Sequence, residues 1–532
     1  MEDNKLMNTL VMMGVKPVLA MFVQDAIRSM RNIVSKEAET YYRNTVLNTV
    51  VMDKTLRQWY VQFQNEAIKK GSEELLSNYV KYMHMPQEIM EEKRKSFIAE
   101  YNDYIKQISD VLSYSIPPKK TDTPDVPSAS IWNVNLNRRA TISLHQSRNT
   151  VKVDAAERVF AHDTSNITWA VVDSGIDANH PAFKDRTNKA PSRVTKIYDF
   201  ASLRNLLANS TLPKHLQKNA TESNQTLREQ LNVLREHVHK GRPIDWSIIE
   251  PLITVSPTPD SSPKSPHGTH VAGILAADWR KEDEKDEKEE DRCLDQDLQG
   301  MCPEMRLLDI RVFDENGKGD EFTIISALQF IAYLNRNRDM PVVHGVNLSL
   351  SLVHNVTNFA CGQTPICLEC ERLIGHGIVV VAAAGNGGHQ RFSTERGYMD
   401  GYHAISITDP GNADGVITVG ATHRGQPHAY GISYFSSRGP TGDGRSKPDL
   451  VAPGEKILSS VPNKSTQIMD GTSMAAPHVS GAAAILMARH KELVGKPHRI
   501  KEILCNTATD LKREKHFQGA GLLDVLRAME SI

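Results

Sequence analysis

GIVVVAAAGN, residues 377–386, is the stretch that decides the fold. An unbroken apolar run of that length, opened by glycine and closed by Gly385-Asn386, reads as a strand buried on both faces. Four more runs share the pattern: ITWAVVDSG, MRLLDIRVF, HGVNLSLSL and GVITVGAT. Helical stretches separate them, so this part of the chain spells an α/β domain with a mostly parallel central sheet flanked by helices. In such sheets the working residues collect at the carboxyl ends of strands. Asp173 and Asn386 stand at such ends.

The N-terminal sequence contrasts with this pattern. Residues 1–115 contain few glycines or prolines, and Phe97, Tyr101, Ile105, Ile108 and Leu112 recur at steps of three and four, one face of a helix. An all-α N-terminal domain is expected over 1–115, then a Pro-rich linker over 116–130 with Pro117, Pro118, Pro124 and Pro127, then the α/β domain over 131–532. Two polar segments of that domain look inserted, at about 184–260 and 278–298. In the first, Leu227, Leu231, Leu234 and Val238 have helical spacing. The second carries KEDEKDEKEEDR, residues 281–292, whose mixed charges suit a solvated loop and lack the spacing of a calcium-ligand loop.

A chain of 532 residues is too long for one typical core, and two or three domains are expected. Lys and Arg number 63 against 64 Asp and Glu, so no global field favours nucleic acid or an anionic membrane. LVMMGVKPVLAMFV, Leu10 to Val23, is shorter than a membrane span, is broken by Lys16 and Pro17, and lacks a small-residue cleavage site. A buried helix is expected there, with no membrane span. Six cysteines are too sparse for a disulfide scaffold, and a cytoplasmic location is expected. Cys367 and Cys370 have CxxC spacing, but no matching second pair follows, so no metal site is expected. Asn347 heads an N-x-S sequon inside an apolar run, where a glycan would not fit.

Chemistry enters with GTSMAAPHVSG, residues 471–481. A serine hydroxyl is a poor nucleophile near neutral pH, and it needs a base within reach and a carboxylate to orient that base. VVDSGID places Asp173 where an apolar strand ends, and HGTHVAG places His267 ahead of an apolar helix. Each has a plainer reading by itself. Asp173 could cap a strand end, His270 could be the base instead of His267, and Ser473 could only open its helix.

VVDSGID, HGTHVAG, AAAGN and GTSMAAPHVSG, in that order, resemble the four signature blocks of the subtilisin-like serine proteases, or subtilases. SYFSSRGP and KPDLVAPG are similar to the family's run before the serine. The resemblance covers roughly residues 130–530 and leaves out the N-terminal region. It implies Ser473 as nucleophile, His267 as general base and then acid, Asp173 as orienting carboxylate, and Asn386 with the Ser473 N–H as donors to the oxyanion. It further implies that an extended substrate strand lies between Gly317-Lys318-Gly319 and Ser349-Leu350-Ser351, with Ser351 where the family has glycine. Ala383, Ala384 and Gly385 would wall the first specificity pocket, with its base near Thr408, Asp409 and Pro410. Asp409 is expected to point into that pocket and favour a basic residue, the alternative being a turn before Pro410.

The family needs no cofactor for its chemistry. Structural calcium stays open, because the acidic run falls where many relatives have a calcium loop and disrupts the match. The implied partner is a protein or peptide substrate. Residues 1–115 lack the strand pattern of the α/β propeptide that many secreted subtilases carry, so a regulatory partner or an autoinhibitory role is expected for them. Two functions therefore stand: an active endopeptidase, or a catalytically silent subtilase-fold interaction protein.

Overall fold

Every residue of the run Thr168–Asp173 after Thr168 is buried, because the strand is covered on both faces. Its period of two sends Trp169 and Val171 into one apolar cluster and Ala170 and Val172 into a second. The computed structural model describes residues 144–532, apart from 188–189, 210–228, 230, 237–239, 241, 259–260, 285–293, 295–296, 315–316, 337, 339 and 395–396. The expected helical domain 1–115 and linker 116–130 lie outside the described residues, as do Leu227 and Val238. By its internal contacts the chain divides into units 1–141 and 142–532, and the second is the one described.

Its central sheet has eight strands, in chain order β1 (Thr168–Asp173), β2 (Val194–Asp199), β3 (Thr254–Val255), β4 (Arg306–Arg311), β5 (Gly345–Leu348), β6 (Val379–Ala383), β7 (Ile417–His423) and β8 (Leu450–Glu455). In space they run β8-β7-β6-β5-β1-β4-β2-β3. Every pairing is parallel except that of β2 with the edge strand β3. Later strands are thus laid down on both sides of β1, which makes its carboxyl end the point where the strand order reverses. Crevices of α/β sheets open at such points.

Helices α1 (His267–Ala276) and α4 (Thr472–Arg489) pack on the face reached by Trp169 and Val171. Helices α2 (Glu321–Asn335) and α3 (Pro365–Gly375) cover the other face. In α4 every residue from Thr472 to Met487 except Ser473 is buried, and the abundance of alanine lets this helix lie close on the sheet. The KPDLVAPG run ties β8 in place. Buried Lys447 donates to the Val416 carbonyl (2.8 Å), Thr418 Oγ1 (2.8 Å) and Asp449 Oδ2 (2.7 Å). Burial pulls its ammonium down to about 8.

Segment 184–260 differs from the expected polar insertion. It supplies β2 and β3, and Tyr198, Phe200, Leu203, Leu206, Leu231, Leu234, Trp246 and Ile249 fill the second cluster. Phe330 of α2 meets the rings of Tyr198 at 4.7 Å and Trp246 at 5.6 Å. This part of the core would be open without the segment. Segment 278–298 is closed at its neck by Asp278–Trp279 pairing antiparallel with Leu298–Gln299. Cys367 and Cys370 are buried in α3, and burial pushes the Cys367 thiol up to about 12 and that of Cys370 well above its ordinary value. Such thiols are core residues rather than redox groups. Asn347 is buried too, as the sequon reading required. Among the described residues no helix is long and apolar enough to cross a membrane.

Candidate active site

Strand parity builds the site. Asp173 has the parity of Trp169 and Val171, so it projects to the face covered by α1 and α4. In β5, Val346 and Leu348 face the opposite cluster, which leaves Asn347 and Ser349 on the same face as Asp173. Helix α1 begins at His267 and α4 begins one residue before Ser473. The residues singled out from separate blocks are therefore collected on one side of one sheet, at its carboxyl edge.

His267 Nδ1 lies 2.8 and 3.0 Å from the two carboxylate oxygens of Asp173. The carboxylate is 1% exposed and also accepts from the Ser174 N–H at 2.7 Å. The Asp173 charge raises the His267 imidazolium above its ordinary value, against burial and with help from the hydrogen bond. Flanking residues of the two blocks bind each other. Ser174 Oγ accepts from Gly268 N (3.1 Å), and Thr269 Oγ1 accepts from Asp177 N (3.0 Å). A Cβ on Gly268 would lie 2.4 Å from the Gly175 carbonyl oxygen, so only glycine lets α1 approach β1 this closely.

His270 has a structural role. Its Nε2 sits 3.1 and 2.9 Å from the Ile457 and Gln467 carbonyls, and burial pulls its pKa down to about 4. This separates it from His267, which is partly exposed.

Ser473 Oγ donates to the Ser349 carbonyl at 3.3 Å, and among the described residues no hydrogen bond joins it to His267. The Ser473 carbonyl has lost its helical donor, because Pro477, four residues on, has no N–H. Ser349 Oγ supplies the missing bond at 2.8 Å while accepting from Asn347 Nδ2 at 2.9 Å, and Asn347 Oδ1 accepts from Ser480 Oγ at 2.9 Å. This relay pins the serine backbone to β5, the neighbour of the Asp173 strand. Sequence reasoning missed Asn347 and Ser480, although the Ser-to-Pro spacing signals a carbonyl in need of a partner.

Asn386 is fixed in the same manner. Its Oδ1 accepts from Thr472 N and Thr472 Oγ1, both at 2.9 Å, which leaves Nδ2 as the outward donor edge. A Cβ on Gly471 would lie 3.4 Å from Asn386 Nδ2 and 3.6 Å from Ser473 N. Both N–H donors thus border one small space that the glycine leaves empty. Ser473 N, at the second helical position, has no carbonyl within the helix to bond.

Gly317, Lys318 and Gly319 form a turn past β4, with the Lys318 carbonyl accepting from Asp314 N at 2.9 Å. Ser349, Leu350 and Ser351 follow β5. The two segments leave the sheet on either side of β1. Leu350 packs into the core, so what it offers a substrate is main chain, whereas Ser351 is exposed.

Ala383 and Ala384 are buried, and Gly385, at φ +103°, brings the chain against Thr408: a Cβ there would meet Thr408 Oγ1 at 2.7 Å. Thr408 is the side chain beside that wall. Asp409, expected in the pocket, is 2% exposed and bonded inside the protein. Its carboxylate accepts from His354 Nδ1 (3.0 Å), Thr364 Oγ1 (3.0 Å) and Asn412 Nδ2 (2.8 Å). Three side-chain donors inside the protein thus hold the Asp409 carboxylate, whereas Thr408 stands beside the wall. Asp409→Asn should therefore lower the unfolding transition seen by calorimetry, by a loss of about 1–3 kcal/mol, because it strands donors of His354 or Thr364. A change in side-chain preference at unaltered stability would contradict this placement.

The sequence profile of the subtilase family matches residues 164–521. Similar proteins include the serine protease AprX of Bacillus subtilis, 28% identical over 356 residues, which are 63% of this chain and 74% of AprX. Pyrolysin of Pyrococcus furiosus is 31% identical over 317 residues, 50% of this chain and 21% of pyrolysin. Subtilisin DY of Bacillus licheniformis is 30% identical over 266 residues, 50% of this chain and 77% of that protein. The chain thus spans most of AprX and subtilisin DY but about a fifth of pyrolysin. With the profile running through every block of the site and the sheet built as described, this chain belongs to the subtilase family and is a subtilisin-like serine endopeptidase.

Proposed function

We propose that the chain cleaves peptide bonds through an acyl-enzyme on Ser473, with His267 as proton carrier and Asp173 as its orienting carboxylate. The supporting observation is the tautomer that Asp173 imposes. A carboxylate on Nδ1 makes that nitrogen the donor, so Nε2 keeps a lone pair able to take a proton. Rotation about the Ser473 Cα–Cβ bond exchanges the long contact with the Ser349 carbonyl for one with Nε2. As Oγ attacks the scissile carbonyl carbon, its proton passes to Nε2. The C–N bond then breaks and the leaving nitrogen takes that proton. Water repeats the cycle, giving its proton to Nε2 and its oxygen to the acyl carbon, and Ser473 Oγ leaves reprotonated.

Negative charge on the carbonyl oxygen would enter the space beside Gly471, between Asn386 Nδ2 and Ser473 N. Asn386→Leu should lower kcat by about 10²–10³ with little change in KM, a magnitude known from subtilisin, a relative of this chain. Steady-state kinetics on a peptide substrate checks it. An equal loss in KM alone would place Asn386 in binding instead. For the first pocket, a neutral Thr408 beside the wall supports a preference for uncharged residues before the scissile bond.

We assign control of the site to residues 1–115, on their helical sequence pattern. Labelling by a fluorophosphonate probe tests both parts of the reading. Wild-type chain should label, Ser473→Ala should not, and chain trimmed of residues 1–115 should label faster. Absence of labelling in both intact and trimmed chain would favour the catalytically silent alternative.

A further inference from the structure

Arg186 holds the loop that follows the His267 helix. After α1 ends at Ala276, the chain runs through Asp278–Trp279 and a single turn, Lys281–Glu284. Asp278 is buried and Asp283 stands at the surface close by, and two neighbouring carboxylates on one short loop repel unless a cation lies between them. Arg186 comes from a segment 92 residues earlier and fills that place. Its Nε donates to Asp278 Oδ2, Nη2 to the Asp278 carbonyl (3.0 Å) and to Asp283 Oδ2 (2.7 Å), and Nη1 to Asp283 Oδ1 (3.1 Å). Burial works to raise the Asp283 carboxyl, but hydrogen bonds from Arg186 and from the Arg280 N–H hold it below its ordinary value. Arg280 Nε also reaches Asp278 Oδ1 at 3.0 Å.

Carboxylate and carbonyl oxygens converging on one point are the ligands a hard divalent cation takes. Structural calcium is common in subtilases, and this loop follows the helix that begins at His267, where many relatives carry a calcium loop. Here those oxygens already converge on a guanidinium, whose rigid planar fork matches two carboxylates as no point charge does. Calcium and Arg186 cannot share the place, so the residues present do not fit the metal.

We propose that Arg186 replaces a divalent cation at this loop, and that its removal uncovers a latent cation site between Asp278 and Asp283. The function served is placement of α1. Gly300, Met301 and Cys302, just past the loop, donate to the carbonyls of Ala277, Ile274 and Leu275 at 2.8, 2.9 and 2.8 Å, so the loop anchors the end of the helix whose first residue is His267.

The test is thermal unfolding of the full chain in EGTA and in millimolar calcium chloride. Arg186→Met should melt about 2–4 °C below wild type in EGTA. Calcium should restore part of that loss, raising the variant more than it raises wild type. Arg186→Met melting with wild type, or both responding equally to calcium, would overturn the proposal. Asp283→Asn should melt lower without gaining a calcium response, and a gain equal to that of Arg186→Met would also count against it. Should Arg186→Met not fold, Arg186→Lys decides: it keeps the charge but loses the fork, so it should melt lower and respond to calcium no more than wild type. A larger calcium response in Arg186→Lys would overturn the proposal.

Discussion

If Ser473 and His267 carry the proposed chemistry, Ser473→Ala should lower kcat about 10⁶-fold, His267→Ala should do the same, and the double variant should lose no more than either alone, a magnitude that comes from subtilisin, a relative of this chain. The near-equality of single and double variants is the informative part. In the proposed mechanism serine and imidazole act as one unit, since neither a hydroxyl without a base nor a base without a hydroxyl forms the acyl-enzyme. Stability should hardly move in Ser473→Ala. The hydroxyl is half-buried, and its bond to the Ser349 carbonyl is long at 3.3 Å, so its loss leaves no short buried bond broken. The backbone carbonyl of residue 473 would still accept from Ser349 Oγ, which keeps the helix start on β5. Calorimetry beside burst kinetics separates the two effects. A variant that unfolds many degrees lower, or one that keeps a tenth of the wild-type rate, would remove Ser473 from the chemistry.

How much of this was legible depended on what each residue must do. Strands buried on both faces announce themselves as apolar runs, and five of the eight strands of the sheet were readable in that way. β2 escaped because Thr195 and Lys196 interrupt it with exposed polar residues. β3 spans two residues and has no periodicity to detect. Both fell inside a segment whose average polarity suggested an insertion. Its buried residues, Trp246 and Ile249 among them, are spread along short elements that no single window collects.

The site divides in the same manner. Asp173, His267, Asn386 and Ser473 stand in short motifs, as the proposed chemistry requires, since it would fix both residue type and neighbours. Glycine at 268 and proline at 477 answer to backbone demands that sequence alone hints at but does not locate. Side chains that pair over long separations were opaque. Asp409 looked free to face a substrate, and only the fold brings His354 and Thr364 onto its carboxylate. Arg186 was one basic residue among many until two aspartates about 92 and 97 residues later closed around it. A hairpin of His389–Thr394 with Gly397–Tyr402, between Asn386 and Thr408, also went unread, for its strands carry charge and little apolar alternation.

Asp173→Asn carries the second large effect, and it moves a pH profile as well as a rate. Asparagine can still accept through its oxygen, yet its NH₂ group takes the place of an acceptor beside Nδ1 and favours the tautomer with the proton on Nε2. That nitrogen then has no lone pair for the Ser473 proton, and kcat should fall about 10⁴-fold, as in other proteases with this triad. The pH dependence follows from the direction of the His267 shift. Asp173 raises the imidazolium pKa, so in wild type the base is lost, as pH falls, at a higher pH than for a free imidazole. With His267 as the proposed base, activity should rise with pH through that raised value. The pair's contribution to stability runs the other way: a raised folded pKa stabilises fully below the unfolded value and is lost as pH climbs through the folded one. Over one window above the ordinary histidine range, the enzyme should therefore gain its proposed base while the Asp173–His267 ion pair gives up its stabilising charge. Replacing Asp173 removes the charge that raised the imidazolium, so the acid limb of kcat should shift to lower pH even as the plateau collapses. An acid limb that stays where it was in wild type would show that the titrating group is not His267, and it would leave Asp173 as a buried carboxylate without the role its geometry supports.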